Sequence, residues 1–101
     1  MRRVSPNFDR ALSKYFGTRT PDPVAAQGSH DAYVMALRAH GTDVEVLGAM
    51  DTHPDCCFVE DCAVMIDGVA LISNLGAPSR RGEEEAVAEY LSEDSDILRM
   101  P

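Results

Sequence analysis

The pair Asp67-Gly68 stands between two short apolar runs, and no other feature constrains the fold as tightly. Two-residue hairpin loops need positive φ at both positions, which such a pair tolerates, so residues 62–66 and 69–73 read as the arms of a β-hairpin. Gly76-Ala77-Pro78-Ser79 follows as a turn able to cap a helix. Ala86, Val87, Tyr90 and Leu91 then place an apolar stripe on a helix over 83–91, and Ile97, Leu98 and Met100 mark a last strand over 96–100. The class this predicts is α/β, with a short mixed sheet.

Upstream the pattern is looser. Tyr33, Val34, Ala36 and Leu37 suit a helix over 24–40, which Gly41 stops. Val44 and Val46 alternate with polar residues and predict a strand over 43–47. Residues 1–24 are the least regular part. There Phe8, Leu12, Tyr15 and Phe16 suggest a short helix after Ser5-Pro6, ended by Gly17 or by Thr20-Pro21-Asp22-Pro23. At 101 residues the chain is expected to form a single domain containing two packed helices.

Charge narrows the partners. Nine Lys and Arg against seventeen Asp and Glu give a net charge of −8, a field that repels nucleic acid and anionic lipid. The local cations Arg2, Arg3, Arg10, Arg80 and Arg81 are too few to reverse it. No stretch approaches the roughly 18 to 20 apolar residues of a membrane span. Met1-Arg2-Arg3-Val4-Ser5-Pro6 has no apolar run behind its arginines, so it does not read as a secretory signal, and a cytoplasmic location is the default. Cys56, Cys57 and Cys62 are then expected to be free thiols. Vicinal Cys56 and Cys57, with His30, His40 and His53 unspaced relative to them, do not make a zinc signature, and neither metal nor cofactor is expected.

The chemistry concentrates around Phe58. Asp55, Glu60 and Asp61 flank an apolar run, where partial desolvation of a carboxylate is expensive unless it is paired. One reading has these acids pointing outward or accepting backbone N–H groups at a turn. The other is a cation site, with carboxylates meeting the planar donors of a guanidinium and an aromatic face adding a cation–π term. Arg80, just past a tight turn, then either clamps a ligand carboxylate or is a solvated arginine at a helix start.

The run Pro54-Asp55-Cys56-Cys57-Phe58-Val59-Glu60-Asp61-Cys62-Ala63-Val64 resembles a signature of the dimethylarginine dimethylaminohydrolases. The run Ala70-Leu71-Ile72-Ser73-Asn74-Leu75-Gly76-Ala77-Pro78-Ser79-Arg80-Arg81 is similar to a second one, although Ser73 and Asn74 stand where the family often has a Thr-Arg pair. The resemblance implies the guanidine-modifying, amidinotransferase-like (pentein) superfamily, an α/β propeller of five ββαβ blades around a central pocket that hydrolyses methylated arginine to citrulline. This chain would be a single blade, the first. By the same resemblance Asp55, Glu60 and Asp61 are substrate-site acids, Phe58 lines the pocket, and Arg80 binds the substrate's α-carboxylate.

The resemblance also implies an incomplete enzyme. The family's catalytic His and nucleophilic Cys lie in a later part, and none of Cys56, Cys57 and Cys62 falls at the nucleophile's position. The expectation is a module that binds a guanidino amino acid, methylarginine or arginine, without hydrolysing it alone. Three forms stay open: a truncated enzyme, one chain of a split hydrolase completed by a partner chain with the missing blades, or a standalone binding or structural protein. A single blade rarely buries its own apolar face, so a homo-oligomer is expected.

Overall fold

A computed structural model describes residues 1–12 and 19–101, which form two compact units, Met1–Cys57 and Phe58–Pro101. The fold is α/β, with a mixed three-stranded sheet and two α-helices among the described residues. No described helix is long and apolar enough to cross a membrane.

In the second unit, β1 (Ala63–Ile66) and β2 (Val69–Ile72) form the antiparallel hairpin, in register from Ala63 opposite Ile72 to Ile66 opposite Val69. Asp67 and Gly68 both take positive φ, 47° and 79°, as a type I′ turn requires. The helix α2 (Glu83–Leu91) leads into β3 (Asp96–Arg99), which pairs parallel to β2 and gives the order β1-β2-β3. A helical crossover is the usual way to bring two parallel strands side by side.

Strand alternation then divides the sheet. Ala70 and Ile72 are buried with Ala88 of α2, and Ala63, Leu91 and Ile97 pack around them. Cys62, Leu75 and Val87 form a second buried cluster beside it. Val64, Leu71 and Leu98 line up across the three strands on the other face, where Val64, Leu98 and the neighbouring Ile66 stay exposed.

In the first unit, α1 (Pro23–Ala39) begins with Asp22, whose carboxylate accepts the N–H of Val24 at 2.9 Å, and with Pro23 at its first position. It ends in a Schellman motif. Gly41, at φ 86°, donates to the Arg38 carbonyl, and Thr42 donates to that of Leu37. The shielded stripe of this helix is Gln27, His30, Val34 and Leu37, whereas Tyr33 and Ala36 face solvent. Ala26 is shielded beside them, Gln27 and His30 make part of the stripe polar, and the Gln27 amide oxygen accepts the N–H of Val4 at 2.9 Å.

The strand expected over 43–47 is reduced to one parallel bridge between Leu47 and Arg2. Leu47 donates to Met1 O and accepts from Arg3 N, the Met1 amino group donates to Glu45 O at 2.8 Å, and beyond Arg3 the chain leaves this pairing as Ser5 and Pro6 lead into a turn. The helix expected after Ser5-Pro6 is a short 3-10 turn at Phe8–Arg10; Tyr15, Phe16 and Gly17 lie outside the described residues. The last strand closes at Arg99, one residue short of the range expected.

Candidate functional site

Two short 3-10 turns build the site in the second unit. The first, Val59–Asp61, follows Phe58 and is closed by Asp61 N–H on Phe58 O and Cys62 N–H on Val59 O. Cys62 anchors it by burial in the core, which leaves Glu60 and Asp61 on the exposed side. The second, Pro78–Arg80, has Pro78 at its start and Arg80 N–H on Ala77 O. It ends just before α2, so Arg80 sits three residues ahead of the first helical residue, Glu83.

Arg80 joins these turns. Its Nη1 donates to Asp61 Oδ2 at 2.6 Å, and its Nη2 donates to the Phe58 carbonyl at 3.2 Å. Nε and Nη2 both donate to Glu83 Oε2, at 3.0 and 2.8 Å. The guanidinium carbon also lies 6.0 Å from the centre of the Phe58 ring, at the edge of cation–π range. Burial works against the Arg80 cation, but the hydrogen bonds to Glu83 and Asp61 outweigh it and push its pKa above the ordinary arginine value.

The two carboxylates differ in setting. Glu83 is 1% exposed and its Oε1 is buried with no hydrogen-bond partner among the described residues, whereas the Asp61 side chain is 51% exposed. Glu83 also opens α2 beside Glu84 and Glu85, at the helix end where the macrodipole favours negative charge. Of the residues expected at the site, Phe58, Asp61 and Arg80 meet directly. Glu60 is exposed beside them on the first turn. Asp55 belongs to the first unit, is 4% exposed, and accepts the Leu12 N–H on both oxygens at 3.2 Å. Sequence reasoning missed Glu83. Its spacing of three from Arg80 was the available signal, obscured by the ordinary preference for glutamate at a helix start.

Cys56 is buried, with Sγ 3.6 Å from Arg3 O and 3.8 Å from Met50 O, and Cys62 is buried in the core. Cys57 is half-buried.

The sequence model of the family described as N,N dimethylarginine dimethylhydrolase, eukaryotic, matches residues 22–99. The chain belongs to this family. It is 42% identical over 92 residues to the N(G),N(G)-dimethylarginine dimethylaminohydrolase of Streptomyces coelicolor, which covers 91% of this chain and 36% of that protein. The dimethylarginine dimethylaminohydrolase of Pseudomonas aeruginosa is 39% identical over 81 residues, 80% of this chain and 31% of its own. A solved structure of a cysteine-to-serine variant of the Pseudomonas aeruginosa enzyme, complexed with citrulline, superposes with a TM-score of 0.90 at 31% identity, covering 99% of this chain and 40% of that one. The chain thus spans about a third of the length of these curated dimethylarginine dimethylaminohydrolases, 36% and 31%.

Proposed function

We propose that this chain is a guanidino-amino-acid-binding module, one ββαβ blade of the pentein propeller, that does not hydrolyse its ligand alone. Phe58, Glu60 and Asp61 take the guanidinium and Arg80 takes the α-carboxylate. Asp55 carries a further substrate-acid role on the resemblance alone. The observation that supports the reading is the cluster around Arg80. Asp61 and the Phe58 ring already accommodate a guanidinium, that of Arg80 itself, with a charge-assisted hydrogen bond and a facing aromatic. The ligand class is methylarginine or arginine, and the site needs no cofactor or metal to bind it.

Hydrolysis of a guanidinium through a covalent intermediate needs an accessible thiolate, a general acid for the departing amine and an activated water. The buried Cys56 and Cys62 are poor candidates for the thiolate, since thiols packed in a core are inert. The missing groups would come from the remaining blades, carried on the same polypeptide or on a partner chain. A citrulline-release assay on the isolated chain tests this, with no turnover of methylarginine expected. Turnover that is lost on replacing Cys57 or Cys62 would overturn it.

A second reading, a self-associating binding or structural protein, rests on the uncovered sheet face. Val64, Ile66 and Leu98 are each more than half exposed there. Contiguous apolar patches beyond a few hundred Å2 are uncommon on monomers. Sedimentation equilibrium decides it: a homodimer or larger closed oligomer is expected, and a mass of 11.0 kDa at high micromolar concentration rejects it.

A further inference from the structure

In this structure Asp61 Oδ2 lies 2.6 Å from Arg80 Nη1, so each occupies the place where the other would meet its own end of a ligand. The side-chain stem of an arginine separates its guanidinium from its α-carboxylate, and two groups bonded directly to each other cannot hold both ends. We propose that the Arg80–Asp61 ion pair is a latch, opened by exchange of partners when a compound bearing both guanidinium and carboxylate binds. Glu83 is the positioning residue that keeps Arg80 in place while the latch opens. The inference rests on the guanidino-binding reading above and adds how the site selects among guanidino compounds.

The two halves of the Arg80 network are unequal in the way such an exchange requires. The Glu83 half is buried, with Glu83 1% exposed and accepting both Nε and Nη2 through one oxygen. Water and ligand have no access to it, and the Phe58 carbonyl braces the same edge through Nη2. The Asp61 half is a single contact through Nη1 to a carboxylate half open to solvent. An incoming guanidinium can pair with Asp61 from solvent, but a guanidinium alone leaves Nη1 of Arg80 without its anion. A ligand carboxylate supplies that anion. The latch therefore discriminates against guanidino compounds that lack a carboxylate, by leaving a charged donor unpaired.

Titration of the full chain with arginine and with its decarboxylated analogue agmatine tests the proposal. The unmodified protein is expected to bind arginine and to bind agmatine about tenfold or more weakly, the worth of one charge-assisted hydrogen bond. In Arg80→Ala the latch is gone, so agmatine is expected to bind more tightly than to the unmodified protein while arginine binds more weakly. In Glu83→Gln arginine affinity is expected to fall with agmatine affinity unchanged, a split that a merely structural role does not produce.

Because Arg80→Ala leaves Glu83 buried without its cation, the unmodified protein supplies an independent readout. In its NMR spectrum, arginine should move the Arg80 Nη resonances and leave the Nε–H resonance in place. Equal agmatine affinity with and without Arg80, or movement of Nε–H together with Nη, would overturn the latch while leaving guanidino binding intact. Failure of the unmodified chain to bind arginine at all would overturn the binding reading and the latch with it.

Discussion

Glu83 holds Arg80 through one oxygen, Oε2, at 3.0 Å from Nε and 2.8 Å from Nη2, and its other oxygen is buried without a partner among the described residues. This pair ties the first turn of α2 to the 3-10 turn before it and, through Nη1 to Asp61, to the turn that follows Phe58. Breaking a buried pair from one side strands a charge, whereas removing both members together does not. Arg80→Met alone is expected to destabilise the chain by about 3 kcal/mol, and the double variant Arg80→Met/Glu83→Leu to recover most of that loss. Urea unfolding of the single and double variants measures both values. A double variant no more stable than the single one would mean that Glu83 is not stabilised by this pairing.

Arg2 presents the opposite case. It is buried, its Nη1 donates to the Gly48 carbonyl at 3.0 Å, and its Nε and Nη2 have no partner among the described residues. A buried cation with unmet donors lowers stability, and an apolar side chain of similar length removes that penalty. Arg2→Met is expected to raise the stability of the isolated chain by about 1 kcal/mol. Thermal unfolding checks the sign: a lower midpoint would mean that Arg2 has an anionic partner in solution.

The hairpin turn gives a purely conformational test. Gly68 is at φ 79° and a side chain there would meet open space, so nothing but backbone strain opposes Gly68→Ala. The expected loss is about 1 kcal/mol, with the strand register unchanged. A loss several times larger in denaturant unfolding would point to a packing role that the turn does not have.

Parts of the molecule set by neighbouring residues were legible in the sequence. Asp67-Gly68 specifies its hairpin within a few residues, and Gly41 closes α1 where a left-handed residue is needed. Parts set across the chain were not. The apolar pattern of α1 found the shielded Val34 and Leu37, but it also took in Tyr33 and Ala36, which are exposed, and passed over the shielded Gln27 and His30. Leu47 finds its partners in residues 1–3, a pairing that local alternation cannot reveal. At the site, residue type and resemblance named Phe58, Asp61 and Arg80. The closure of Arg80 onto Asp61 and Glu83 depends on how two 3-10 turns and a helix start converge, which no linear spacing encodes.

On the proposed reading the acids around Phe58 bind a guanidinium. Calorimetric titration of the chain with methylarginine and with arginine tests it most directly, alongside the same titration of Asp61→Asn. Saturable binding to the unmodified chain is expected, with affinity about tenfold or more weaker in Asp61→Asn, since a charge-assisted hydrogen bond is lost. Absence of heat with either compound at millimolar concentration, or equal affinity in the variant, would contradict it.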